Sequence, residues 1–236
     1  LDDNYDFTAY GQAVLNRIDE SKKLVVAKVD GLALGGGLEL ALSADVIVAT
    51  PKAVMGFPET GIGIYPGLGG TQRTSRHVGK EFAKYLIFTG RIIPAEYALS
   101  LGLVDYVFAP DEIEDKIKTL IFEGKLVPNK GKKMEELTPE LRQIKELFAD
   151  ENIDAWLSNK YLESDDPLVA KTAKIISSKA PIALRLANEI IDTGYEMPLS
   201  EGVKQELAHL NEIFSTADAL TGLTSVGKAG PTFEGR

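Results

Sequence analysis

The chain has 236 residues, 44% of them hydrophobic, no cysteine, and a net charge of −9. That length and apolar content suit one large domain, or a domain with a small lobe. The charge argues against a nucleic-acid surface, the missing cysteines exclude disulfide and thiolate chemistry, and no apolar run reaches membrane-spanning length. The two histidines, His77 and His209, lack metal-ligand spacing, so no metal is expected. These features point to a cytoplasmic protein.

Residues 6–20 carry Phe7, Tyr10, Val14, Leu15 and Ile18 at helical spacing and predict an amphipathic helix. A strand over 24–29 ends at the turn signal Asp30-Gly31. It leads into Gly35-Gly36-Gly37 and a helix over about 36–44, apolar at Leu38, Leu40, Ala41 and Leu42. Strands over 46–50 and 54–57 are stopped by Pro51 and Pro58. A loop comes next with Gly61, Gly63, Gly67, Gly69 and Gly70. Helices over 79–88 and 94–101 close at Gly90 and Gly102, and a last strand spans 105–109. Residues 111–165 are charged, broken by glycine and proline, with short helices near 138–148 and 151–160. Helices over 167–179, 181–193 and 199–214 dominate the end, and a tail begins at 224. The chain therefore divides into a core at 1–110, a charged insertion at 111–165 and a C-terminal helical region at 166–236.

The chemistry centres on the triple glycine. First-turn N–H groups of a helix lack intrahelical partners and sit at the positive end of its dipole. They suit an anion, or a carbonyl that becomes an oxyanion. Glu39 lies in this apolar turn, and Glu59 stands further on at a strand-to-loop corner. Two carboxylates brought together perturb each other, so one can hold a proton while the other is ionised. A salt-bridged core glutamate and an ordinary cap fit the same spacing. Gly67 to Thr71 also fits a plain turn, Lys228 a solvated tail, and His77, beside Arg73 and Arg76, the surface.

The runs Gly31-Leu-Ala-Leu-Gly-Gly-Gly-Leu-Glu39-Leu-Ala-Leu-Ser-Ala-Asp45, Phe57-Pro-Glu59, Pro66-Gly-Leu-Gly-Gly-Thr-Gln-Arg73 and Leu86-Ile-Phe-Thr-Gly-Arg-Ile-Ile-Pro-Ala-Glu-Tyr-Ala-Leu-Ser-Leu-Gly-Leu-Val104 occur in that order. Together they resemble the crotonase (enoyl-CoA hydratase/isomerase) superfamily, closely over 6–110 and loosely over 166–236. The chain looks most like the hydratase part of fusion proteins that also carry a 3-hydroxyacyl-CoA dehydrogenase. The resemblance implies an α/β fold, a spiral of ββα units with a C-terminal helical region used for trimerisation. It implies syn addition of water to a trans-2-enoyl-CoA, with the CoA thioester as substrate and no cofactor. The Gly36 N–H would be one of two oxyanion donors, Glu39 would deprotonate the water and Glu59 would protonate C2. The Gly67 N–H would help place the water, and Lys228 would approach the CoA phosphates. Implied partners are an acyl-CoA, further copies in a trimer or hexamer, and a dehydrogenase domain or upstream polypeptide; neither nucleic acid nor membrane is implied.

The family begins with two or three strands and a loop carrying the second oxyanion N–H, whereas residues 1–20 resemble the segment after that loop. The chain is therefore expected to be a fragment, and losing one oxyanion donor costs about 2.7–4 kcal/mol in the barrier. Val25, Val29, Val46 and Val48 are expected to lack part of their sheet and its cover. Leu184, Leu186, Ile190, Leu207 and Leu210 are expected to pack on partner subunits or to fold back over the site. Related alternatives are an enoyl-CoA isomerase, a 3-hydroxyisobutyryl-CoA hydrolase, and a non-catalytic subunit. The hydrolases resemble Gly-Gly-Gly-Val-Gly and Pro-Asp where this chain has Gly35 to Glu39 and Pro66-Gly67, which favours the hydratase.

Overall fold

The computed structural model describes residues 2–128, 134–228 and 230–236. Helix α1 (Asp2–Asp19) leads to two short strands, β1 (Val26–Val29) and β2 (Leu32–Leu34), and then to α2 (Gly36–Leu42). Strands β3 (Val46–Ala49) and β4 (Val54–Gly56) repeat the step. They are followed by a 3-10 turn (Pro58–Ile62), α3 (Gly70–Val78) and α4 (Lys80–Thr89). Strand β5 (Ile93–Pro94), α5 (Ala95–Leu101) and β6 (Tyr106–Val107) come next. The two strands of each step join different sheets. β1, β3 and β6 run parallel in one, while β2 and β4 run parallel in the other with β5 antiparallel beside β4. Val26 pairs with Val46 and Leu32 with Val54, so successive ββα units stack as turns of a spiral.

β3 is apolar at every position because it is a central strand covered on both faces. Ile47 and Ala49 enter the main core. Val46 and Val48 are covered by Ile113 and Leu126, with Ile117 and Leu120 packed alongside. Apart from Leu126, which follows it, this cover is α6 (Ile113–Phe122), a helix that the charged sequence around it conceals. It corrects the expectation of bare valines: Val29 is buried too, and Val25 is half-buried. What stays open is the outer edge of β1, which pairs with no strand among the described residues. Residues of β1 and β2, with Gly37 and Leu40 of α2, line a groove of about 570 Å³ there.

The remaining helices are α7 (Pro139–Leu147), α8 (Ile153–Leu157), α9 (Pro167–Ile176), α10 (Pro181–Tyr195), α11 (Leu199–Ala208), α12 (Leu210–Phe214) and α13 (Ala217–Thr224). Thr138, Asp166 and Thr216 cap α7, α9 and α13 by accepting first-turn N–H groups. Leu141, Ile144, Phe148 and Trp156 share one core with α4 and α10. Lys84 is fully buried on α4, and its Nζ lies 2.8 Å from carboxylate oxygens of both Asp150 and Asp192.

Of the two arrangements expected for the C-terminal leucines, packing on a partner does not apply to Leu184, Leu186 and Ile190 of α10, which are buried within this chain, while Leu210 turns back onto a cavity as the other has it; Leu207 is half-buried. The apolar stripe of α1 does the reverse. Gln12 and Leu15 face inward, while Phe7 is 77% and Tyr10 72% exposed. The inward side is set by packing: Gly11 lets the helix approach Leu68, and Gln12 finds buried acceptors.

Candidate active site

A cavity of about 180 Å³ lies at the N-terminus of α2. Gly36, Glu39, Glu59 and Gly67 all line it, so the spiral brings four of the five predicted site residues together. Apolar walls come from Ile64, Leu68, Ile213 and Phe214, and Phe7 of α1 stands at the same opening.

The chain enters α2 through Gly35, whose φ of 51° and ψ of −123° only glycine adopts without strain. A Cβ there would sit 2.5 Å from Glu59 Oε1. The position thus serves two ends: it turns the backbone into the helix and makes room for a carboxylate. The Gly35 carbonyl accepts the N–H groups of Leu38 and Glu39. The Gly36 N–H has no acceptor among the described residues and borders the cavity, as a preorganised donor to a ligand oxygen must. Among the described residues the Gly67 N–H also has no acceptor, while its carbonyl accepts from Gln12 Nε2 at 2.9 Å.

The two glutamates are buried but held differently. Glu39 Oε1 accepts the Leu68 N–H at 2.7 Å and the Gly70 N–H at 2.8 Å. Gly70 must be glycine here, because a Cβ would meet Glu39 Oε1 at 2.7 Å. Burial pushes the Glu39 carboxyl above the usual range, and those two N–H groups and the Arg73 charge oppose the shift. Among the described residues Glu39 makes no ion pair, so it is not the salt-bridged core residue that its spacing also allowed. Glu59 is the second residue of the 3-10 turn, and its Oε2 is buried without a hydrogen-bond partner among the described residues. Burial, and then the Glu39 charge, push its carboxyl up to about 8. With Glu39 raised to about 7 and Glu59 to about 8, Glu39 gives up its proton first and Glu59 keeps its own to higher pH, so a base and an acid can face one cavity.

Lys228 lies apart from this group. It is exposed beyond α13, and its Nζ donates to the Thr224 carbonyl at 2.9 Å. Sequence reasoning named Gly35 and Gly70 but missed the room each leaves for a carboxylate, and it missed a third buried carboxylate, Glu206 on α11. The available signal was its place on the apolar stripe Val203, Glu206, Leu210, where a charge is out of pattern. The surface reading of His77 is corrected: His77 is buried, with Arg73, on α3, a polar helix inside the molecule.

Residues 3–227 match the family model described as enoyl-CoA hydratase/isomerase. The short-chain-enoyl-CoA hydratase of Clostridium acetobutylicum is 32% identical over 219 residues, which is 93% of this chain and 64% of that protein. The crotonyl-CoA hydratase of Syntrophomonas wolfei is 45% identical over 115 residues, 49% of this chain and 44% of that protein. The chain thus spans less than two thirds of the length of either relative. An enoyl-CoA hydratase structure from Rhodobacter sphaeroides superposes with a TM-score of 0.77 at 23% identity, covering 98% of this chain and 69% of that one. That likeness is one of fold.

Proposed function

Because the chain belongs to the enoyl-CoA hydratase/isomerase family and has its crotonase-type spiral, we propose that its site adds water reversibly across the C2–C3 double bond of a 2-enoyl-CoA. The observation that carries this reading is the pair of buried carboxylates in one cavity. One is held by two N–H groups; the other has an oxygen, Oε2, with no partner among the described residues, and is biased toward its protonated form.

In this reading the thioester oxygen accepts the Gly36 N–H at the positive end of α2. Glu39 removes a proton from water as its oxygen bonds to C3. The π electrons of the C2–C3 bond move into the thioester as an enolate, and Glu59 gives its proton to C2. Glu39 ends protonated and Glu59 ionised, and proton exchange through water in the cavity restores the starting state. The Gly67 N–H orients the attacking water. A second oxyanion donor would come from upstream polypeptide docked on the open edge of β1. Support for this is the groove there, which Gly37 lines one residue away from Gly36 at the cavity. Lys228 is assigned to the phosphates of CoA. Lys228→Ala should raise KM for the CoA thioester and leave KM for the matching pantetheine thioester unchanged.

The deciding experiment monitors loss of the conjugated thioester absorbance of crotonyl-CoA, in the chain alone and in a preparation carrying the upstream region. Glu39→Gln and Glu59→Gln should each lower kcat by at least a hundredfold with little change in KM, since both groups act in the transition state. Activity surviving in both variants would place the chemistry elsewhere. Retained double-bond migration without hydration in Glu39→Gln would favour an isomerase.

A further inference from the structure

Glu206 plays no part in the proposed reaction, yet its carboxylate is the most fully enclosed of the three at this end of the molecule, with no exposed surface. Four donors converge on it. Oε2 accepts from Gln12 Nε2 at 3.1 Å and from the Gly69 N–H at 2.6 Å. Oε1 accepts from the Thr71 N–H at 3.1 Å and from Thr71 Oγ1 at 2.5 Å. Its main-chain carbonyl accepts from the Tyr65 hydroxyl at 2.6 Å.

The order of donors along the chain is the informative feature. Leu68 and Gly70 give their N–H groups to Glu39, while Gly69 and Thr71 give theirs to Glu206. Four successive peptide groups therefore alternate between two carboxylates on opposite sides of one strip of main chain. Neighbouring peptide planes share an α-carbon, so one pair of bonds cannot turn without disturbing the other. Gly67, at the start of the strip, is tied to the same centre, because the Gln12 Nε2 that reaches Glu206 also donates to its carbonyl.

We propose that Glu206 is a positioning residue: it fixes the Leu68–Thr71 main chain that holds Glu39, and its charge acts across that strip on whether Glu39 carries a proton. Burial, followed by the Glu39 charge, raises the Glu206 carboxyl above the usual range, so the pair resists holding two negative charges. The other titratable or charged groups facing the pair are Glu59 across the cavity, Tyr65 ahead of the strip, and Arg73 on α3, whose Nη1 donates to the Leu68 carbonyl at 3.1 Å. α1 contributes the neutral Gln12. The kinetic consequence rests on the hydration reading; the titration does not.

The test is a carbon-13 titration of the Glu39 carboxyl in the chain labelled at glutamate Cδ, assigned through Glu39→Gln. Glu206→Gln removes the like charge of the pair and should move the Glu39 midpoint to lower pH. Thr71→Val removes one donor to the ionised Glu206, favours its neutral form, and should move the midpoint the same way by less. This milder variant carries the test if Glu206→Gln does not fold. In crotonyl-CoA turnover the acid limb of kcat/KM should move with the midpoint, and Glu206→Gln should lower kcat at least tenfold with KM within about threefold. Lower thermal stability with an unmoved Glu39 midpoint in both variants would reduce Glu206 to a structural residue and overturn the proposal. A moved midpoint in a preparation that carries the upstream region and still hydrates nothing would uphold the positioning role and remove the hydration reading.

Discussion

Glu59 owes its proton to the same burial that makes it costly to the fold. Its carboxyl is raised to about 8, above the 4.5 expected in the unfolded chain. The folded state therefore binds more protons than the unfolded state between those values, and stability falls as pH rises through that window. Glu59→Gln, neutral at every pH, should abolish hydration and raise the melting temperature at pH 8.5, where each kcal/mol recovered is worth about 2–4 °C in a chain of this size. Calorimetry of the two proteins at pH 5 and pH 8.5 checks this; an unchanged difference at the two pH values would contradict it. The pH profile of activity is set by the same pair. Both directions of the reaction need one proton shared between Glu39 and Glu59. Below the acid limb Glu39 cannot accept a proton from water, and above about pH 8 Glu59 has none to give to C2. A bell-shaped profile with its alkaline limb near 8 is expected from initial rates. At this scale Glu39, Glu59, Gly36 and Gly67 were legible because short runs of sequence carry them. Glu206 was not, because it reaches the site from 167 residues after Glu39, amid the ordinary surface charges Glu201 and Lys204.

Two helices escaped the sequence for opposite physical reasons. α3 carries Thr71, Gln72, Arg73, Thr74, Ser75, Arg76 and His77, a polar run that periodicity reads as loop. It is buried because its polar groups find partners inside: Gln72 Nε2 reaches the Ile190 carbonyl, and Arg76 Nη2 reaches the carbonyls of Gly194 and Met197. α6 is amphipathic, but its exposed side is charged enough to hide the stripe of Ile113, Ile117 and Leu120. β1, β3, β4, β6 and α2 were legible because their apolar runs and glycine or proline breaks are local signals; β2 and β5, three and two residues long, are too short to show a period. Between elements, Lys84 is the clearest test. It joins α4 to Asp150 and to Asp192 of α10, and Lys80 meets the same two aspartates. Lys84→Met keeps the buried stem and removes the charge. The expected loss is about 1.5–3 kcal/mol, below that of a fully buried pair because both aspartates are partly exposed. Urea unfolding measures it, and a loss under about 0.5 kcal/mol would show that Lys80 alone holds the aspartates.

Among the described residues, two uncovered surfaces border α2, one at the edge of β1 and one on α1. The outer edge of β1 is free, with Lys28 placed on it and paired to Glu114, the kind of charge that keeps an edge from random pairing. Across α2, Phe7 and Tyr10 stand in solvent, and Phe7 also lines the cavity. Burying a large apolar side chain is worth about 1.5–3 kcal/mol, so two such groups per copy favour association. A second copy packed on α1 would close the mouth of the cavity, which couples assembly to exclusion of water from the site. Light scattering on the purified chain should therefore give a multiple of 25.6 kDa, with a trimer or a pair of trimers as the expected assembly. Replacing Phe7 and Tyr10 together by serine should dissociate it and raise KM for the enoyl-CoA, while leaving the Glu39 midpoint in place. A cooperative, stable monomer of the unaltered chain would instead mean that α1 tolerates its exposed face, and the cavity must then be closed by something other than a second copy.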